Sequence, residues 1–167
     1  MKTYAQHASA RWLGTRQRGK GAIKTPSDAL KVALHPASGD AKGCGTTPAE
    51  LIAAAIAGSF SLTLADELGL AGYKPREIDT IASVTLEHLA DGWRLTQILL
   101  AVTATVPRAA DCDFVDATLR AKANCPIARA LNANTLMTAK LTRKGARKAS
   151  ETKKSFTPNG LPRWRIK

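Results

Sequence analysis

A cysteine stands directly before a proline at Cys125-Pro126, inside the otherwise helical pattern Ala121-Lys122-Ala123-Asn124-Cys125-Pro126-Ile127. Proline lacks a backbone N–H and clashes with the preceding turn, so a helix reaching this point must break and restart with Pro126 as its first residue. Cys125 then becomes an N-cap, where unpaired N–H donors and the positive end of the helix dipole favour the reactive thiolate. The alternative is a small buried apolar residue beside a kink. The other thiols offer less. Cys44 lies between glycines ahead of a helix start and could be activated there, whereas Cys112, beside acidic residues, reads as exposed and incidental. No Cys-x-x-Cys or His-x-x-x-His spacing suggests a metal, and none is expected. His7, His35 and His88 stand apart from any serine or cysteine that a triad would need, and ordinary polar neighbours on pleated surfaces account for His7 and His88.

The elements that must hold these residues follow from local patterns. Residues 4 to 13 and 29 to 34 alternate in a loosely β-like way, and between them Arg16-Gln17-Arg18-Gly19-Lys20-Gly21 marks a turn or bulge. Arg18 in that glycine turn reads as a solvated charge. Thr47 as N-cap, Pro48 at the first helical position and Glu50 three residues after Thr47 form a capping box. From Leu51 to Ser61 only small or apolar side chains and serine follow, so this helix is expected to be buried nearly all round, with Gly69 and Gly72 ending it. Ser59 on it reads as a packing residue bonded to a carbonyl one turn back, and a Ser59-based hydrolase would lack the G-x-S-x-G elbow.

Residues 79 to 89 and 93 to 106 look like strands joined by Asp91-Gly92, a strong hairpin signal. Asp111 or Asp113 can cap a second helix carrying Phe114, Val115, Leu119 and Ala123, which breaks at Pro126 and continues through Leu131. Thr135 to Thr142 reads as a closing strand. The order of strands, long buried helix, hairpin, broken helix and strand is that of an α+β domain over residues 1 to 142, without internal repeats.

The chain has 167 residues, 44% hydrophobic and 23% charged, enough for one globular domain with a real core. No run approaches 18 apolar residues and the first residues lack a secretory signal's apolar stretch, so neither membrane insertion nor secretion is expected. Three cysteines at 44, 112 and 125 are too few for a disulfide framework, which points to a reducing compartment, the cytoplasm. The net charge of +12 is uneven: from Arg143 to Lys167 nine Lys or Arg stand against Glu151 alone, a contribution of +8. That basic tail, residues 143 to 167, reads as flexible and able to make non-specific anion contacts. Phe156 and Trp164 are its only aromatics, too few for a nucleic-acid stacking platform.

Four pieces occur in order: RGKG at 18 to 21, TTPAELIAAAIAGSF at 46 to 60, the hairpin, and AKANCPIARAL at 121 to 131. Together, over roughly residues 7 to 142, they resemble the OsmC/Ohr family of thiol-dependent hydroperoxide reductases. The resemblance implies a homodimer of intertwined subunits, with antiparallel strands around a long buried central helix, a second broken helix and two pockets at the interface. It implies no cofactor. A peroxidatic cysteine on the central helix attacks the peroxide, and a second cysteine in the Cys-Pro segment resolves the sulfenic acid as a disulfide. An arginine on the glycine turn and a glutamate at the helix start hold thiolate and peroxide. Residue by residue, the second cysteine matches Cys125, the arginine Arg18 and the glutamate Glu50. The peroxidatic position is Ser59, whose hydroxyl cannot be oxidised to a sulfenic acid and returned by a thiol. Ile56 stands where family members often carry a histidine. The expectation is therefore hydroperoxide defence without the two-cysteine cycle, served at best through Cys125 with an external thiol reductant. The alternative is a non-catalytic dimer whose pocket binds a small hydrophobic or oxidised ligand.

Overall fold

In the computed structural model the described residues are 3–35 and 45–142; Cys44 and the basic tail from Arg143 onward lie outside them. Three short strands come first, β1 (Ser9–Leu13), β2 (Lys20–Lys24) and β3 (Lys31–Leu34), followed by the long helix α1 (Pro48–Leu70). The hairpin strands β4 (Glu77–Leu89) and β5 (Gly92–Thr105) precede helices α2 (Asp111–Asn124) and α3 (Pro126–Leu131), and β6 (Asn134–Thr142) closes the chain. Two three-stranded sheets result, β1-β2-β3 and β4-β5-β6. The α+β architecture is the expected one.

Local chemistry explains where α1 begins and ends. Glu50 N–H donates to Thr47 Oγ1 at 3.2 Å while Thr47 N–H donates to Glu50 Oε2 at 3.1 Å, the reciprocal capping box. Thr46 Oγ1 adds a second donor to the same carboxylate at 2.8 Å. At the far end Gly72, at φ +82°, takes the left-handed turn that lets Gly72 N–H reach Gly69 O and Tyr73 N–H reach Leu68 O. These two bonds satisfy carbonyls that the helix leaves open.

Ile56, Phe60, Leu64, Glu67 and Leu68 form the buried stripe of α1. They meet the inward residues of the second sheet, Ile98, Leu100, Val102 and Ala104 of β5 among them, and Phe114, Ala117 and Ala121 of α2. Ser61 Oγ also donates to Thr80 Oγ1 on β4 at 2.8 Å. The expectation of burial nearly all round does not hold within one chain. Ala54, Ala55, Gly58 and Leu62 are exposed, Leu62 at 72%. By length and composition α1 is apolar enough to cross a membrane, contrary to the expectation from apolar runs; here it packs as the core helix against β4, α2 and α3.

Several boundaries differ from the sequence reading. Residues 4 to 8 precede β1, so His7 lies outside it, and the tight turn is Thr15 to Gly19, closed by Gly19 N–H to Thr15 O at 2.7 Å. Lys20 and Gly21 already belong to β2, a strand hidden by its charge and glycine. The hairpin turn is Ala90-Asp91, with Gly92 opening β5 at φ +116°. His88 sets its ring edge-to-face on Trp93, with centroids 5.1 Å apart. The N-cap of α2 is Ala110, not Asp111 or Asp113, and no side chain caps it. Asp111 instead lies within the first turn, and Asp113 accepts a hydrogen bond from Tyr73 Oη, which raises the Tyr73 hydroxyl above its ordinary value.

The closing strand β6 pairs parallel to β5, from Gln97↔Asn134 to Thr105↔Thr142. A parallel neighbour needs a crossover, and α2 with α3 supplies it. The broken helix is thus carried across the same sheet face that α1 covers.

Candidate active site

Cys125 is fully buried, at the break between α2 and α3. Pro126 begins α3 as expected. Cys125 occupies the N-cap position by backbone, but its side chain makes no hydrogen bond to the six-residue α3. Its Sγ instead donates to Ser59 Oγ on α1 at 3.4 Å. The Ser59 reading changes accordingly. Its hydroxyl faces the thiol rather than a carbonyl one turn back, and its own carbonyl accepts from Thr63 Oγ1 at 2.8 Å.

The structure therefore brings two of the four candidate residues together, from positions 66 apart in sequence. It does not bring the other two to them within one chain. Glu50 lies nine residues before Ser59 on the same helix, about 13 Å along its axis, where its carboxylate closes the capping box. Arg18 is exposed, its backbone N–H bonded to Thr15 Oγ1 at 3.3 Å. Ile56, one turn from Ser59, is fully buried and adds only apolar surface. Cys112 is exposed, as expected, with its thiol directed to Asp113 Oδ1 at 3.7 Å.

One group near the helix break escaped the sequence reading. Glu67 of α1 is only 8% exposed, yet its carboxylate is fully engaged. Arg120 Nε donates to Oε2 at 2.8 Å and Asn124 Nδ2 donates to Oε1 at 2.9 Å. These hydrogen bonds, Arg120 first, hold the Glu67 carboxyl below its ordinary value of 4.5. The signal was available: Glu67 continues the stripe of Ile56, Phe60 and Leu64, and a charge on a buried stripe needs a partner.

A thiol against a hydroxyl cannot close into a disulfide with it. Among the described residues no group of three or more His, Cys, Asp or Glu side chains could hold a metal ion.

Comparison with known proteins places the fold. The OsmC-like protein family matches residues 39–140. The peroxiredoxin OsmC of Escherichia coli K12 is 37% identical over 132 residues, covering 78% of this chain and 92% of that protein. Among solved structures, an OsmC-like protein of Vibrio cholerae superposes with a TM-score of 0.68 at 14% identity, covering 82% of this chain and 99% of its own. An organic hydroperoxide resistance protein of Bacillus subtilis superposes at 0.61 and 21% identity, covering 81% and 98%. The fold, the ordered motifs and the extent of these matches lead to one assignment: this chain belongs to the OsmC family.

Proposed function

We propose that this protein acts in thiol-dependent hydroperoxide defence with Cys125 as its one working sulfur and Ser59 as that sulfur's hydroxyl partner. The observation that carries the proposal is the 3.4 Å contact between Cys125 Sγ and Ser59 Oγ. The substrate class comes from the relatives, one named a peroxiredoxin and another an organic hydroperoxide resistance protein.

The chemistry balances with one cysteine. The Cys125 thiolate attacks the terminal oxygen of the hydroperoxide, an S–O bond forms as the O–O bond breaks, and the departing alkoxide takes a proton to become an alcohol. Cys125 is left as a sulfenic acid. Ser59 cannot resolve it, so an external thiol displaces water to give a mixed disulfide, and a second thiol releases Cys125. A hydroxyl can donate as well as accept, so Ser59 turns from acceptor to donor once the sulfur is ionised.

Arg18 and Glu50 take the roles the family resemblance gives them, holding thiolate and peroxide. Because neither reaches Cys125 within its own chain, we assign them to a site completed by a second copy, in a homodimer. The uncovered small and apolar residues of α1 support that reading, as does β1, which is exposed along its whole length. The cytoplasm, rich in reducing thiols, is the compartment this cycle requires.

The test is consumption of cumene hydroperoxide with a dithiol reductant. The chain with Ser59 should turn over at least about tenfold more slowly than Ser59→Cys, and Cys125→Ser should abolish what activity it has. If Cys125→Ser leaves consumption by the Ser59 chain unchanged, the sulfur is not at work. The pocket would then be better read as one that binds a small hydrophobic or oxidised molecule without turning it over.

A further inference from the structure

We propose that Glu67 is a positioning residue for Cys125, acting through Asn124 to fix where the helix break lies on α1. The inference rests on the reading of Cys125 as the working sulfur, but it is argued from contacts that reading does not use.

Asn124 and Cys125 are consecutive, and both reach α1. Asn124 Nδ2 bonds Glu67, and Cys125 Sγ bonds Ser59, eight residues earlier. Eight residues span about 12 Å of helix, so the break is attached at two points more than two turns apart. A single attachment would let the break pivot about the sulfur. Two attachments define both its position along α1 and its direction across it. Arg120, one turn before Asn124, donates to the other oxygen of the same carboxylate and holds its plane. The Glu67 side chain is only 11% exposed, so these two donors rather than solvent do most to orient its carboxylate. Around the break the helical ladder ends with Cys125 N–H on Ala121 O and resumes with Arg129 N–H on Cys125 O. Pro126 has no N–H to contribute. The sulfur thus sits where the helical ladder is interrupted, and the Glu67 clamp grips the residue beside it.

Disulfide closure offers a geometric readout, since it demands Cα atoms within about 4.4 to 6.8 Å and a narrow dihedral. In full-length Ser59→Cys protein, oxidation by diamide should close a bond between positions 59 and 125, followed by intact mass. Asn124→Ala removes an exposed side chain, so the protein should stay folded, as a thermal melt will show. It should close about tenfold more slowly, because small misplacements of reacting atoms carry large rate penalties. Glu67→Met should slow closure similarly. Arg120→Met, which keeps the Asn124 bond, should slow it less than about threefold, and Asn124→Gln, which keeps an amide donor, should recover part of the rate. Equal closure rates in the folded Ser59→Cys and Asn124→Ala,Ser59→Cys proteins would overturn the proposal. Because diamide closure involves no hydroperoxide, a protein that closes as expected but reduces no peroxide would refute the proposed function and leave this inference standing.

Discussion

Replacing Ser59 by alanine would leave Cys125 with no side-chain partner on α1, and the ionised sulfur would suffer more than the neutral thiol. A hydrogen bond to a charged group contributes about 1.5 to 3 kcal/mol, against about 1 kcal/mol for a neutral pair. Alkylation of Cys125 by iodoacetamide at neutral pH should therefore fall on the order of tenfold in Ser59→Ala, with exposed Cys112 as an unchanged internal standard. An unchanged rate would show that the hydroxyl does nothing for the thiolate. At this scale the sequence was legible only where a residue's chemistry is local. Pro126 announced the break and thus the place of Cys125, because proline's missing N–H acts on its own turn. That Sγ would leave its N-cap role and meet Ser59 was not legible from neighbours in sequence. The family resemblance, not spacing, paired those positions. Glu67 was missed because its partners lie on another helix, 53 and 57 residues onward.

Among the elements, α1 was the most legible, since its start and stop are written in side chains that act within one turn. Thr47→Ala should cost about 1 kcal/mol of stability, measured by urea denaturation, by removing the acceptor for Glu50 N–H. Glu50→Gln keeps an acceptor for Thr47 N–H and should cost less, so loss of peroxide turnover in that variant would reflect the charge rather than the cap. The strand β2 was not legible, because Lys-Gly-Ala-Ile-Lys offers one bulky apolar side chain and reads as turn. It is a strand through its antiparallel pairing with both β1 and β3. The parallel register of β6 was equally out of reach, because crossover direction is a property of the assembled sheet.

For the whole molecule, the exposed residues of α1 and the fully exposed β1 give the clearest expectation. Sedimentation should find twice the chain mass, and Leu62→Glu, placing a charge on the uncovered face of α1, should shift the protein toward monomer; a monomer without that substitution would remove the shared-site reading of Arg18 and Glu50. A last consequence belongs to time rather than to structure. The sulfur and its hydroxyl partner are 66 residues apart, and the crossover that carries the sulfur is held both by α1 and by the pairing of β6, the last strand described, along β5. Contacts this distant form late, since loop closure must come before the contacts that repay it. During refolding the thiol is thus expected to stay open to the solvent until these long-range contacts form. Cys125 is in that sense a clock for the end of folding, and the interval before its burial is when it is most open to unintended oxidation.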